Sequence, residues 1–247
     1  MVRGLGQRQG KCAARRGACL RPQQRRNRRT AGPLTPRNKR LALVTGSTAG
    51  IGYAIAEQLA HQGLQFIIKG RTEDRVAQAI ARLAARGADT TCLHGLAADV
   101  STVAGVARTV DSYPVVDVLV NSFGNIQVKT FAATTDADWD KTWNDNVMSG
   151  MRLSRHNFPR MLQRKYGRVL FISSESALQI PAEPIHHGAL RRFQDRPTGA
   201  GARPGRTAVQ TDVTVDSVLV GPTRSEGMDR RIDRFAQLHN ATTAGVE

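Results

Sequence analysis

Three glycines follow a short apolar segment at spacings that suit a phosphate-binding turn. The segment Leu41–Val44 leads into Gly46, Gly50 and Gly52, and a helical pattern continues to residue 60. The first glycine permits a sharp turn, the second lets the backbone approach a pyrophosphate, and the third lets a helix pack against a strand. The helix N-terminus then offers N–H groups and the positive end of its dipole to the anion. We therefore predict a site for the phosphates of a cofactor, and the alternative is a helix start with flexible glycines. Ser47, Thr48 and Ile51 are assigned to the same site.

The residue types after the later strands extend this site. Gly70 and Arg71 stand where an NAD-binding protein often has an acid for the ribose 2′-hydroxyl. An arginine suits a 2′-phosphate, so we favour NADP over NAD, the alternative being a solvated surface arginine. Asp99 is predicted to accept a hydrogen bond from an adenine amino group. Asn121 is predicted to bridge backbone groups of neighbouring strands, and Gly124 to leave space beside the cofactor.

Short apolar segments alternate with helical patterns, which is typical of a parallel sheet covered on both faces. We predict strands near 41–45, 65–69, 90–94, 116–121, 168–173 and 213–220, and helices near 50–62, 73–87, 102–110 and 136–164. Thr72 and Ser101 are predicted helix N-caps, and Thr135 with Asp138 resembles a capping box. The sequence therefore predicts a single α/β domain with a doubly wound parallel sheet, whose ligand crevice lies at the carboxyl ends of the strands.

The formal net charge of +16 is concentrated in two segments. Residues 1–40 contain 13 of the 36 Lys and Arg residues and no acid, and residues 191–206 contain five Arg and one Asp. We predict that residues 1–39 form a basic disordered extension before a domain at 40–247. This extension is interpreted as a transit peptide, a nucleic-acid-binding arm, a solvated tail, or the product of a start codon assigned upstream of the true one.

The cysteines indicate neither a metal site nor a disulfide framework. The spacing of Cys12, Cys19 and Cys92 matches neither a set of metal ligands nor a pattern of paired cysteines. We therefore predict that the protein binds no metal and works in a reducing compartment. A cytoplasmic location is favoured, with organelle targeting by the extension as the alternative. No apolar stretch approaches the roughly 18 residues of a membrane span, and any nucleic-acid binding is expected to be weak and confined to the basic arm.

The motifs together resemble the short-chain dehydrogenase/reductase family, of the classical type that includes 3-oxoacyl-carrier-protein reductases. The resemblance covers about residues 40–187 and 212–227, and it rests on Thr45–Gly52, Asp99, Asn121–Gly124, Asn146 and Ser174. It implies a Rossmann-like fold, a homo-oligomer, and hydride transfer between a nicotinamide and a ketone or secondary alcohol. Contacts to the cofactor amide are implied for Gly221, Thr223 and Ser225.

The resemblance also implies the catalytic residues. In the family a tyrosine is the general acid or base, a lysine lowers the tyrosine pKa and holds the ribose, a serine orients the substrate oxygen, and an asparagine steadies a water. Ser174 and Asn146 match the serine and the asparagine. His187 and Arg191 stand at the positions of the tyrosine and the lysine, and this Tyr-x-x-x-Lys motif is absent. A neutral imidazole can donate a proton. Its ring is shorter than a phenol, so its N–H would not occupy the position of the tyrosine hydroxyl, and we expect strongly reduced activity or none.

The sequence departs from the family again after the catalytic positions. Residues from about 188 to 212 are rich in Arg, Gly and Pro and cannot continue a helix. The family pattern then resumes, and this recovery favours the hypothesis of two compensating frame changes in the gene, between about 184 and 212. We also expect the sheet to lack the family's last strand and normal oligomer assembly to be impaired. The leading function is an NADP-dependent oxidoreductase. The alternatives are a non-catalytic dinucleotide-binding homologue and a nucleic-acid-associated protein.

Overall fold

Six parallel strands form one sheet in the computed structural model, which describes residues 40–125, 129, 131–175, 210–221, 223–225, 227, 229, 232, 233 and 236. The strands are β1 (Leu41–Val44), β2 (Gln65–Gly70), β3 (Leu93–Ala97), β4 (Val118–Asn121), β5 (Tyr166–Ser174) and β6 (Asp212–Val220). Their order across the sheet is β3-β2-β1-β4-β5-β6. The predicted doubly wound sheet is confirmed. The order reverses between β1 and β4, so the ligand crevice of such a fold lies at their carboxyl ends.

Helices connect the strands and cover both faces of the sheet. They are α1 (Gly50–His61), α2 (Glu73–Ala85), α3 (Val103–Ser112), α4 (Asp136–Trp143) and α5 (Ser149–Gln163). The predicted single helix over 136–164 is interrupted, because a π-helical turn at Asn144–Met148 separates α4 from α5. A π-turn leaves backbone groups without their usual α-helical partners and is frequent at functional sites.

The core consists of two apolar clusters, one on each face of the sheet. Successive side chains of a strand point to opposite faces. Accordingly, Leu43 and Ile67 belong to one cluster, whereas Ala42 and Phe66 belong to the other. All four side chains are at most 1% exposed. Burial of both faces explains why β1, β2 and β4 read as continuous apolar segments rather than alternating ones.

The third strand begins later than predicted. Thr90–Cys92 forms a short 3-10 turn instead of the start of a strand, and β3 runs from Leu93 to Ala97. Asp89 is the cause, because its Oδ1 accepts hydrogen bonds from the Thr91 N–H at 2.9 Å and from the Thr91 hydroxyl at 2.7 Å. This local bonding competes with extended backbone.

One predicted cap is wrong by one residue. Thr102, not Ser101, caps α3, since its Oγ1 accepts from the Gly105 N–H at 3.0 Å. Ser101 instead donates its hydroxyl to Asp99 at 2.7 Å. The other two caps are confirmed: Thr72 caps α2, and Thr135 forms the predicted capping box of α4.

Several predictions fall outside the described residues. These are the basic extension at 1–39, the irregular segment at about 188–212 as far as residue 209, and the candidate catalytic residues His187 and Arg191. Where the chain is described, no group of three His, Cys, Asp or Glu side chains is placed to hold a metal ion. None of the helices in the described ranges combines the length and hydropathy of a membrane-spanning segment.

Candidate cofactor-binding site

The turn between β1 and α1 has a backbone that requires glycine. Gly46 and Gly50 have φ angles of +68° and +56°, in the left-handed region that residues with a Cβ rarely adopt. Gly52 is restricted by space, because a Cβ there would lie 2.5 Å from the Gly46 carbonyl oxygen. The three predicted glycines therefore have separate structural reasons, two conformational and one steric.

The N-terminus of α1 faces the cleft without a side-chain cap. Ala49 is the N-cap residue, with extended backbone, and its side chain makes no capping hydrogen bond. The first turn also contains no acidic residue. The orphan N–H groups of a helix start, together with the dipole, favour an external anion at such a position.

Two hydroxyls next to the glycines join the turn to its neighbouring strands. Thr45 Oγ1 accepts from the N–H groups of Ser122 and Phe123, both at 2.9 Å. Ser47 Oγ accepts from the Lys69 N–H at 2.8 Å. Ser47 and Thr45 are buried, so these side chains support the turn from beneath. For Ser47 this is a structural role beside the cofactor role predicted from the sequence.

A cleft of about 330 Å³ opens at the carboxyl ends of the strands, in front of this turn. Its described walls come from the glycine turn, the ends of β2 and β4, one residue of β5 and the segments after β3 and β6. The lining residues are Gly46, Thr48, Ala49, Gly50, Ile51, Gly52, Lys69, Gly70, Arg71, Arg75, Ala98, Val100, Ser122, Phe123, Gly124, Ile172, Ser225 and Gly227.

The end of the cleft beside β2 is positively charged. Lys69, Arg71 and Arg75 line it, and none of the described lining residues is acidic. Arg71 and Arg75 are exposed, so both guanidinium groups are available to an anionic ligand. Arg71 was identified from the sequence, whereas Lys69 and Arg75 were not.

Lys69 is an unusual residue for this position, since it is only 1% exposed. Its ammonium group donates to the Ala98 carbonyl oxygen. Burial lowers its pKa to about 8, while the carboxylate of Asp99 opposes and the charge of Arg108 adds to this lowering. The sequence signal was a lone charged residue within the apolar strand Gln65–Gly70. A buried lysine beside a cleft is a candidate for a functional role.

Asp99 is held by its own loop. Its Oδ1 accepts from the Ser101 N–H at 2.9 Å and from the Ser101 hydroxyl at 2.7 Å. Burial acts to raise the pKa of the Asp99 carboxyl, but the two hydrogen bonds and the charge of Arg71 bring it below its ordinary value. The side chain is therefore a carboxylate at neutral pH, able to accept a further hydrogen bond.

Asn121 differs from its prediction. Its Nδ2 donates to the Ser154 hydroxyl of α5 at 3.3 Å rather than to backbone groups of neighbouring strands. Its Oδ1 is buried without a hydrogen-bond partner among the described residues. The end of β4 is thus tied to α5 by one side-chain contact.

Asn146 lies in the π-turn and binds the loop after β4 through both ends of its amide. Its Oδ1 accepts from the Asn125 N–H at 2.8 Å, and its Nδ2 donates to the Asn125 carbonyl oxygen at 2.8 Å and to the Thr142 carbonyl oxygen at 2.9 Å. Gly124 abuts this amide, because a Cβ there would lie 2.9 Å from Asn146 Oδ1. A side chain at position 124 would therefore displace Asn146.

The remaining predicted residues lie at the ends of β5 and β6. Ser174 is the last residue of β5 and pairs in register with Val220. Gly221 follows directly, and Thr223 donates its hydroxyl to the Gly221 carbonyl oxygen at 3.0 Å. Ser225 lines the cleft, but Ser174, Gly221 and Thr223 are not among the lining residues.

Comparison with known proteins identifies the family. The model of the short chain dehydrogenase family matches residues 40–232. The chain belongs to the short-chain dehydrogenase family. It is 36% identical over 206 residues to the uncharacterized oxidoreductase YvaG of Bacillus subtilis strain 168, covering 83% of this chain and 76% of that one.

Solved structures of short-chain dehydrogenases share the fold. A variant of actinorhodin polyketide ketoreductase, solved with NADPH, has a TM-score of 0.74 and 25% identity, over 86% of this chain and 81% of that chain. A 3-oxoacyl-(acyl-carrier-protein) reductase of Agrobacterium tumefaciens C58, with NADP bound, has a TM-score of 0.68 and 29% identity, over 80% and 74% of the two chains. The chain thus belongs to this oxidoreductase family by sequence and by fold.

Proposed function

We propose that this chain binds NADP in the cleft and transfers a hydride between the nicotinamide and a ketone or secondary alcohol. The observation that carries the proposal is the positive charge of the β2 end of the cleft, where Lys69, Arg71 and Arg75 meet without a lining acid among the described residues. The binding of NAD is favoured by an acid at this end and that of NADP by cations. The ketoreductase and oxoacyl reductase neighbours, solved with NADPH and NADP, support the same cofactor.

The shape of the glycine turn fits the pyrophosphate of such a cofactor. Gly46 and Gly50 supply the backbone conformations, and the uncapped start of α1 supplies N–H groups for an anion. Arg71 and Arg75 would hold the 2′-phosphate, and Asp99 would accept from the adenine amino group. Bound NADP supplies the hydride donor or acceptor at its nicotinamide ring.

The proton chemistry is proposed to involve Ser174, Asn146, His187 and Arg191. Ser174 would orient the substrate oxygen, and His187 would exchange a proton with it, which suits an imidazole with an ordinary pKa of about 6.5. An imidazole is shorter than a phenol, however, and a misplacement of about 1 Å can cost about 100-fold in rate. We therefore propose slow turnover.

A non-catalytic dinucleotide-binding protein is the second candidate function. The observation in its favour is the replacement of the family's tyrosine and lysine by His187 and Arg191. Both candidates require NADP binding, and they differ only in turnover.

Turnover measurements with NADPH and a panel of ketones separate the two functions. The test compares the parent with a His187→Tyr, Arg191→Lys double variant at equal cofactor saturation, which is followed through the fluorescence of Trp139 and Trp143. We expect the double variant to be roughly 100-fold faster. Equal rates in both proteins would overturn our view of these positions. No measurable turnover in the parent alone would favour the non-catalytic function, and no binding of NADPH would refute both.

A further inference from the structure

Asp145 is a buried carboxylate beside the candidate site. It lies in the π-turn, directly before Asn146, and the residue is 3% exposed. A buried carboxylate is costly unless hydrogen bonds and an opposite charge compensate for the lost water. The hydrogen-bond partners of Asp145 among the described residues therefore indicate its structural role.

The partners of Asp145 come from two different elements. Lys141, one turn earlier on α4, donates its ammonium group to Oδ2 at 2.8 Å. The Asn125 side chain donates its Nδ2 to the same oxygen at 3.2 Å. The second contact connects the π-turn to the loop after β4, 20 residues away in the sequence.

Asn125 is consequently held in two ways. Asn146 binds its main chain through both the N–H and the carbonyl group, each at 2.8 Å, and Asp145 binds its side chain. The two holding residues are consecutive in the π-turn, so the loop and the turn form one hydrogen-bonded unit. Gly124, the residue before Asn125, forms part of the cleft wall.

The position of this unit relates it to one half of the cofactor. If the pyrophosphate lies at the start of α1 and the adenosine at the cationic end beside β2, the nicotinamide half extends over β4 and β5. Gly124 and Asn125 follow β4 directly. The unit therefore borders the nicotinamide half and not the adenosine half.

We propose that Asp145 is a positioning residue for the nicotinamide half of the cofactor site. It fixes the Asn125 side chain, and through it the place of Asn146 and of the cleft wall at Gly124. The proposal rests on the proposed NADP binding, and it assigns to Asp145 no contact with the cofactor itself.

The test compares two ligands and two variants. NADPH reports on the whole cofactor site, whereas 2′,5′-ADP, which lacks the nicotinamide nucleotide, reports on the adenosine half. Dissociation constants are measured for the parent, Asp145→Asn and Asn125→Ala, with Asp140→Ala as the control. Asp140 is an exposed aspartate on α4, one residue before Lys141, and its replacement should change neither constant.

We expect each of the two site variants to weaken NADPH binding about tenfold, in line with the loss of a hydrogen bond to a charged group, and to leave 2′,5′-ADP binding within about twofold. Equal losses for both ligands would overturn the proposal, because they indicate a general structural role. Unchanged NADPH binding in Asn125→Ala would also overturn it. That variant alters a half-buried residue, so it decides the matter even if Asp145→Asn does not fold.

A second measurement needs no cofactor. Hydrogen exchange of the Asn125 amide in the free protein reports whether its bond to Asn146 Oδ1 persists. We expect at least threefold faster exchange in Asp145→Asn and an unchanged rate in Asp140→Ala. An unchanged rate in Asp145→Asn would refute the positioning role. If the parent binds neither ligand, the proposed function fails, and this measurement still decides whether Asp145 fixes Asn125.

Discussion

Replacement of Lys69 by methionine should make the cofactor-free protein more stable. The side chain is 1% exposed, and burial lowers its pKa from 10.5 to about 8. At 1.36 kcal/mol per pKa unit, this difference means that keeping the buried amine protonated costs about 3 kcal/mol at pH 7. Methionine retains the length of the chain without the charge, but the Ala98 carbonyl oxygen loses a donor, which costs about 1 kcal/mol. The net expectation is a gain of about 2 kcal/mol.

The gain should depend on pH. Below about pH 8 the amine is protonated in both the folded and the unfolded protein, so the full cost is present. Between about pH 8 and 10.5 the unfolded protein binds more protons than the folded protein, and the stability of the parent rises with pH. The stability advantage of Lys69→Met over the parent should therefore shrink over this range.

The same variant should bind NADPH about tenfold more weakly, because a cation beside the cleft is lost.

Urea unfolding at pH 7, 9 and 10, without cofactor, measures both effects. Lys165→Met is the control, since Lys165 is exposed and its replacement should change stability by less than about 0.5 kcal/mol at every pH. A Lys69→Met protein that is no more stable than the parent at pH 7 would refute the reasoning. So would an advantage of the same size at pH 7 and pH 10.

Two further predictions concern the glycine turn and the start of α4. Gly52→Ala should weaken NADPH binding more than about tenfold, because its Cβ would lie 2.5 Å from the Gly46 carbonyl oxygen. The control, Gly63→Ala, meets no atom within 4 Å at a φ of +71°, so it should lower stability by about 1–2 kcal/mol and leave binding unchanged. Equal NADPH binding by the two variants in a fluorescence titration would contradict this account. Asp138→Ala should lower stability at pH 7, because hydrogen bonds from Lys129 and Thr135 bring the pKa of this carboxyl from 3.8 to about 2. This stabilisation is present above about pH 4 and is lost as the pH falls towards 2, so a difference that stays constant in unfolding measurements at pH 7 and pH 2.5 would argue against it.

The features predicted well from the sequence depend on local patterns. The turn at Gly46–Gly52 combines an apolar strand, fixed glycine spacings and an amphipathic helix, all within about 20 residues. The capping box at Thr135 is similarly local, since it needs only two side chains three residues apart. The parallel sheet followed from the alternation of apolar segments and helices.

The features that the sequence did not predict depend on competition or on distant contacts. Ser101 and Thr102 are both able to cap α3, and Asp99 decides between them by accepting from Ser101. The π-turn depends on a hydrogen bond from the Ser149 N–H to the Asn144 carbonyl oxygen, five residues earlier, which no residue type specifies. Lys69 is the lone charged residue of β2, but its burial did not follow from that signal, because a lysine near a strand end usually extends its amine to water.

The central claim is that the cationic end of the cleft selects NADP, and parallel titrations of the parent with NADPH and NADH test it most directly. Arg71→Ser, which removes an exposed guanidinium group lining that end, is the matched variant. The account predicts that the parent binds NADPH at least about tenfold more tightly than NADH, that Arg71→Ser loses most of this preference, and that NADH binding is little changed. A parent that binds NADH as tightly as NADPH, or that binds neither, would contradict it.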